Sequence, residues 1–131
     1  MELGGRVAIV TGGGTGIGRA VCVRLARAGA SAVMVNYSRS VEEANATVEE
    51  IESLGAKAYA HRADVSDESQ VVAMVDKTVK RFGRLDVLVN NAGTTHFIPH
   101  SDLDRLTDEV WNEILGVNLK GTFYCLSLIH I

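Results

Sequence analysis

A glycine-rich segment follows the first apolar run of the chain and is its strongest chemical signal. The run Val-Ala-Ile-Val covers 7–10, and residues 11–18 continue as Thr-Gly-Gly-Gly-Thr-Gly-Ile-Gly. Glycines permit positive φ angles and let the backbone come close to a ligand. The free N–H groups and the dipole at the start of a helix favour an anion there. The spacing therefore predicts a phosphate site between a strand and a helix, with a ligand-free tight turn as the alternative.

Polar residues also follow two later segments that are predicted as strands. Asp64 follows the segment 57–63, and Asn90-Asn91-Ala92-Gly93 follows the segment 85–89. If these segments are parallel strands, the glycine-rich segment, Asp64 and the segment 90–93 all lie beyond the carboxyl ends of one sheet. This is where such sheets bind ligands. Asn90 and Asn91 equally fit a structural role, in which their side chains join neighbouring strands through backbone hydrogen bonds.

The residues after the second apolar run bear on which dinucleotide would fit. A carboxylate at this place would bind the ribose 2′-hydroxyl of NAD and repel a 2′-phosphate. The chain instead has the neutral Asn36, followed by Ser38, a donor, and Arg39, which can form paired bonds to phosphate. These residues favour NADP(H), with NAD(H) possible; the alternative for Arg39 is a solvated loop charge.

The elements that would position these groups alternate between strand and helix. Buried strands are predicted at 7–10 and 32–35, a third and weaker strand at 57–63, and a fourth strand at 85–89. Helices are predicted from Gly16 to a stop at Gly29, over 41–54 and up to Gly83, and a last one begins near Thr107 or Asp108. Ser66 is the predicted N-cap of the third helix.

Apolar residues at helical spacing predict the buried face of each helix. For the first helix they are Ile17, Val21, Leu25 and Ala28; for the second, Val41, Ala44, Val48, Ile51 and Leu54; for the third, Val72, Val75, Val79 and Phe82. The alternation predicts an α/β fold, a Rossmann-type doubly wound parallel sheet with right-handed crossovers. The sheet would be truncated after the fourth strand and the start of the next helix, so 1–131 would be one incomplete dinucleotide-binding domain.

Composition excludes several other classes of function. The 131 residues carry a formal charge of −3 and no basic stripe, which disfavours nucleic acid. No signal peptide or bilayer-length apolar stretch is present, and Cys22 and Cys125 suggest no disulfide framework. A cytoplasmic protein with no membrane partner is expected. The four histidines show no metal-ligand spacing, so no metal site is predicted.

Four motifs together resemble the short-chain dehydrogenase/reductase family over nearly the whole chain. They are Thr11-Gly12-x-x-x-Gly16-x-Gly18, Asp64-Val65, Asn90-Asn91-Ala92-Gly93 and Asn118-Leu119-Lys120-Gly121. The 3-oxoacyl-carrier-protein reductase and glucose dehydrogenase types are the most similar. The resemblance implies a Rossmann-type, NAD(P)-dependent oxidoreductase that acts on a small carbonyl or alcohol substrate and assembles as a homodimer or homotetramer.

The resemblance also implies roles for individual residues. Gly12, Thr15, Gly16, Ile17 and Gly18 would surround the pyrophosphate and its neighbouring ribose, while Asp64 and Val65 would lie along the adenine. Asn91, Ala92 and Gly93 would border the ribose and nicotinamide. Asn118 would be the active-site Asn that helps to hold a water in a proton relay; the alternative is an Asn in the interior of a helix whose side chain bonds to backbone. Thr15 stands where many NADP-using members carry a basic residue.

The family's catalytic Ser and Tyr-x-x-x-Lys have no counterpart in this sequence. Tyr37, Tyr59 and Tyr124 are followed four positions later by Val41, Ala63 and Leu128. We therefore expect a truncated enzyme, inactive and prone to aggregation as an isolated chain. The alternative is a dinucleotide-binding module or sensor without catalysis.

Overall fold

The computed structural model describes residues 2–130, in which strands and helices alternate as predicted. The strands are β1 (Val7–Val10), β2 (Ala32–Tyr37), β3 (Lys57–Arg62) and β4 (Val87–Val89). The helices are α1 (Gly16–Arg27), α2 (Val41–Ser53), α3 (Glu68–Phe82), α4 (Asp108–Leu115) and α5 (Thr122–Ile129). A short 3₁₀ turn (Leu103–Arg105) precedes α4, and a π-helical segment (Gly116–Gly121) joins α4 to α5.

The four strands form one parallel sheet in the order β3-β2-β1-β4. Successive strands are added outward from β1 to β3, and the chain then crosses back to place β4 on the other side of β1. The predicted α/β fold of Rossmann type is confirmed. The strand order reverses between β1 and β4, and the carboxyl edge at such a point is where doubly wound sheets bind ligands.

The sheet separates two apolar cores, because side chains along a strand alternate between its faces. Val10, Val33 and Val35 pack on one face with residues of α1 and α2. Ile9 and Met34 point to the other face and pack with residues of α3 and α5. Each central strand is therefore buried on both sides, which explains why its sequence is continuously apolar.

All three predicted helix faces are only partly buried in the structure. In α2, Ala44 and Ile51 are buried as predicted, whereas Val41 and Leu54 are exposed. Ile17 is 77% exposed, and the fully buried face of α1 consists of Gly18, Cys22, Val23 and Ala26. In α3 the buried residues are Val71, Met74 and Thr78, whereas Val72 and Val79 are exposed. The Thr78 hydroxyl donates to the Met74 carbonyl oxygen at 2.8 Å, so a polar residue can be buried there without an unpaired group.

The cap of α3 also differs from the prediction. Asp67, rather than Ser66, is the N-cap, and its carboxylate accepts from the backbone N–H groups of Ser69 and Gln70. The Ser66 hydroxyl instead donates to Oδ1 of Asp64 at 2.6 Å. A carboxylate is both a good cap and a favourable charge at a helix N-terminus, so Asp67 prevails over its neighbour.

Strand β4 begins two residues later than expected because Asp86 forms the connection to β1 with its side chain. Its Oδ2 accepts from the backbone N–H of Val7 at 2.9 Å, and its own N–H donates to the Val7 carbonyl oxygen. Within residues 2–130, no helix combines the length and the apolarity needed to cross a membrane.

Candidate functional site

A cleft of about 710 Å³ lies at the carboxyl edge of the sheet. Its walls come from the turn after β1, the segments after β2 and β3, the loop after β4, and α4 with the π-helical segment. The predicted site residues that line the cleft are Gly12, Thr15, Ser38, Arg39, Asp64, Val65, Ala92 and Gly93. The fold therefore brings together residues that are far apart in the sequence, as the parallel-strand argument required.

Other predicted site residues lie outside the lining of this cleft, namely Gly16, Ile17, Gly18, Asn91 and Asn118. Gly18 is required by packing, because a Cβ there would overlap the Gly12 carbonyl oxygen. Gly16 has a φ of 51°, and a Cβ at this position would meet open space. The glycine turn is thus shaped both by tight packing against α1 and by a backbone conformation that favours glycine.

The turn after β1 is held in place by the buried Asn36. Its Oδ1 accepts from the Gly12 N–H at 3.1 Å, and its Nδ2 donates to the Ala63 carbonyl oxygen at 3.0 Å. The side chain is only 2% exposed. The prediction that Asn36 follows the second strand is therefore wrong: the residue lies within β2 and its side chain is used for these hydrogen bonds, although it still contributes to the lining of the cleft beside Tyr37.

Asn91 joins the ends of β1 and β4. Its Nδ2 donates to the carbonyl oxygens of Thr11 and Gly12, each at 3.1 Å. These bonds match the structural alternative weighed for this residue. They also hold the adjacent Ala92 and Gly93 at the wall of the cleft. A contact between Asn91 and a cofactor remains a prediction.

Asp64 presents one free carboxylate oxygen at the cleft. Its Oδ1 accepts from the N–H and the hydroxyl of Ser66, at 2.9 and 2.6 Å. No hydrogen bond from residues 2–130 reaches its Oδ2. Val65 beside it is buried, and a Cβ at Gly121 would lie 2.6 Å from Val65 Cγ2, so the helix passes directly over this segment. An acceptor next to an apolar surface suits an aromatic base with an amino group.

Asn118 lies in the π-helical segment and anchors the loop after β4. Its Oδ1 accepts from the Thr94 N–H at 2.8 Å, and its Nδ2 donates to the Thr94 carbonyl oxygen at 2.9 Å. These bonds match the structural alternative for this residue, an Asn in the interior of a helix whose side chain bonds to backbone. A role for Asn118 in a proton relay remains a prediction. π-Helical segments within α-helices are common at functional sites.

The cleft is also lined by residues that were not predicted from the sequence as site residues, among them Tyr37, Arg62 and Glu113. Tyr37 and Arg62 are register partners at the ends of β2 and β3, so pairing of the strands places them side by side. Glu113 lies on α4, within 3.8 Å of Arg39. Strand alternation could have pointed to Tyr37, but nothing in the sequence indicates how closely α4 approaches the segment after β2.

The buried Cys22 packs against the glycine turn, and its thiol stays protonated. Burial raises the pKa of its thiol to about 12, so the group is neutral near pH 7. Its Sγ lies 3.8 Å from the Gly13 carbonyl oxygen. Across residues 2–130, no group of three His, Cys, Asp or Glu side chains is arranged to hold a metal ion.

The sequence profile of the short chain dehydrogenase family matches residues 6–130. The chain belongs to this family. This chain is 44% identical over 120 residues to the 3-oxoacyl-(acyl-carrier-protein) reductase FabG of Staphylococcus aureus. The matched region covers 92% of this chain and 47% of that protein. The chain is 44% identical over 123 residues to versicolorin reductase 1 of Dothistroma septosporum, covering 94% of this chain and 45% of that protein.

A solved structure shares this fold closely. The crystal structure of a short chain dehydrogenase from Burkholderia cenocepacia in complex with NADP superposes with a TM-score of 0.91 and 39% identity, covering 99% of this chain and 51% of that one. The chain described here thus spans about half the length of the relatives that it matches. Its family is one of oxidoreductases, and the similarity to the FabG type is confirmed.

Proposed function

We propose that this chain is the cofactor-binding half of an oxidoreductase that uses NADP(H), with NAD(H) possible, and acts on a ketone/alcohol pair. The main support is that one cleft brings together the glycine turn, Ser38, Arg39 and Asp64. It lies where the strand order of the sheet reverses. A related structure of the same fold is a complex with NADP, which supports the choice of cofactor.

The residues of the cleft fit a dinucleotide at both of its ends. The turn between Gly12 and Thr15 leads into the N-terminus of α1, where N–H groups and the helix dipole would hold the pyrophosphate. Arg39 would hold a 2′-phosphate through charge-assisted bonds, with Ser38 as a further donor. Asp64 Oδ2 would accept from the adenine amino group beside Val65, and Ala92 and Gly93 would border the second ribose.

The bound cofactor would supply the hydride. Asn118 would hold the loop at Thr94 in position and help to order a water at the active site. A proton donor is still required, because an alkoxide developing on the substrate needs a partner. The relatives' greater length leads us to propose that Ser and Tyr-x-x-x-Lys follow residue 131 in the complete enzyme.

The coding DNA past codon 131 tests this proposal directly. We expect it to encode a Ser and a Tyr-x-x-x-Lys, and the full gene product to oxidise NADPH in the presence of ketones. Residues 1–131 expressed alone should show no turnover above background. Turnover by the short polypeptide, or failure of the full gene product to bind NADPH, would contradict the proposal.

A homo-oligomer is part of the same proposal. Large apolar side chains recur every four residues along α4, the π-helical segment and α5, at Trp111, Leu115, Leu119 and Phe123, and all four are exposed. Large exposed apolar side chains at this spacing favour contact with another protein surface. Sedimentation of the full gene product should show a dimer or tetramer, and Phe123→Asp should shift it toward monomer.

We further propose a cytoplasmic location, since Cys22 and Cys125 are both free and buried.

A further inference from the structure

Glu113 lies between two basic side chains at the cleft. Its Oε1 is 3.8 Å from Nη2 of Arg39, in the segment between β2 and α2. Its Oε2 is 2.8 Å from Nε2 of His96, in the loop after β4. Arg39 and Glu113 both line the cleft. The ion pair between Arg39 and Glu113 therefore joins two walls of the cleft that are far apart in the sequence.

The position of the Glu113 carboxylate is fixed by its surroundings. His96 holds one oxygen, and the loop that carries His96 is itself tied to Asn118 by the two bonds at Thr94. Asn118 and Glu113 belong to the same continuous run of helix. The bond to His96 thus favours a position of the Glu113 carboxylate at the cleft wall.

We propose that Glu113 is a specificity-determining residue that opposes the binding of a 2′-phosphate at Arg39. The inference rests on the proposed function, in which Arg39 receives that phosphate. Arg39 lies 3.8 Å from Glu113, so a phosphate that reaches Arg39 also comes close to the Glu113 carboxylate. A phosphate monoester carries about −1.5 to −2 charges near pH 7, and the two negative groups therefore repel each other. A ribose 2′-hydroxyl is neutral and meets no such repulsion.

Two opposing charges would then set the preference between the cofactors. Arg39 attracts the 2′-phosphate, while Glu113 both neutralises part of the Arg39 charge and repels the phosphate directly. The Arg39 side chain is 87% exposed and that of Glu113 is 41% exposed, so water and salt weaken both effects. For charges in such an exposed site we expect Glu113 to weaken binding of the 2′-phosphate by about three- to tenfold.

The experiment compares two nucleotides that differ only in this phosphate. Adenosine 2′,5′-bisphosphate and 5′-AMP are titrated calorimetrically, at low salt, into the full gene product and its Glu113→Gln variant. Gln keeps the size of the side chain and an oxygen for His96, so folding should be preserved. Glu109→Gln is the matched control, because it removes one charge from α4 at a residue that does not line the cleft.

We expect Glu113→Gln to tighten the bisphosphate by about three- to tenfold and to leave 5′-AMP almost unchanged. Glu109→Gln should change neither affinity. The gain should shrink at high salt, and it should also shrink in an Arg39→Ala background if part of it passes through Arg39.

Unchanged or weaker binding of the bisphosphate by Glu113→Gln would overturn the inference, since weaker binding would mean that Glu113 positions Arg39 instead of competing for it. If the unaltered protein binds both nucleotides, that result leaves the proposed function standing. If it binds neither nucleotide, the proposed function fails and the inference fails with it.

Discussion

The Thr11 hydroxyl accepts hydrogen bonds from two consecutive backbone N–H groups, those of Asn91 and Ala92, each at 3.0 Å. It also donates to the Val89 carbonyl oxygen at 3.4 Å. In return, the Asn91 side chain donates to the Thr11 carbonyl oxygen. One buried threonine thus fixes the loop after β4 to the end of β1, next to the glycine turn.

Replacing this hydroxyl should destabilise the protein. Thr11→Val keeps the shape but leaves the Ala92 N–H without its acceptor, while the Asn91 N–H keeps only its bond to the Val89 carbonyl oxygen. The unpaired N–H should lower the free energy of unfolding by about 1–3 kcal/mol. Thr11→Ser keeps the hydroxyl and should retain most of the stability. Urea unfolding of the three proteins measures this, and equal stability of the Val and Ser variants would show that the hydroxyl contributes nothing.

Arg39→Ala should change the affinity for one cofactor only. Loss of a charge-assisted contact with the 2′-phosphate should weaken NADPH by about 1.5–3 kcal/mol in the full gene product, while NADH changes little. Arg105→Ala, which removes an exposed guanidinium away from the cleft, is the control. Equal losses for both cofactors, or no loss, would remove Arg39 from the recognition of phosphate.

Substitutions at Gly16 should separate backbone strain from ligand contact. Ala and Val both suffer from the φ of 51°, but only Val extends a branched side chain into the open space at this position. We expect Gly16→Val to bind NADPH at least about tenfold more weakly than Gly16→Ala, or about 1.4 kcal/mol. The far-UV CD spectra report whether both proteins stay folded. Equal affinities would place the phosphate site on the part of the turn between Gly12 and Thr15.

Asp86 should make stability depend on acid pH. Hydrogen bonds from Arg84 and from the Val7 N–H, with the charge of Arg84, lower the pKa of this carboxyl from 3.8 to about 2. Because the folded pKa lies below the unfolded one, ionised Asp86 stabilises the fold above about pH 4. This contribution is lost as the pH falls through about 2.

Urea unfolding between pH 2 and pH 6 tests this expectation. The wild type should lose stability on acidification more steeply than Asp86→Asn, whose side chain does not titrate. Asp104→Asn serves as a control at an exposed acid on the 3₁₀ turn. Parallel pH profiles for wild type and Asp86→Asn would show that the Arg84–Asp86 pair has no influence on folding.

The sequence alone determined the fold class, the order of the elements and part of the cleft lining. Continuous apolar runs mark strands buried on both faces, and parallel strands must bring the residues after them to one edge. Gly12, Asp64 and Gly93 therefore meet as expected, although long stretches of chain separate them. Gly29 and Gly83, the predicted stops of α1 and α3, also hold positive φ angles at those helix ends.

Tertiary packing decided what local spacing leaves open. On α3, apolar residues occur at adjacent positions, and only the contact with the sheet selects Val71 and Met74 over Val72. Asn36 is enclosed because β2 continues to Tyr37, and its side chain then bonds to the turn after β1 and to the end of β3. Arg39 meets Glu113 because α4 packs beside the loop after β2, across 74 positions of sequence, and only the folded chain fixes that separation.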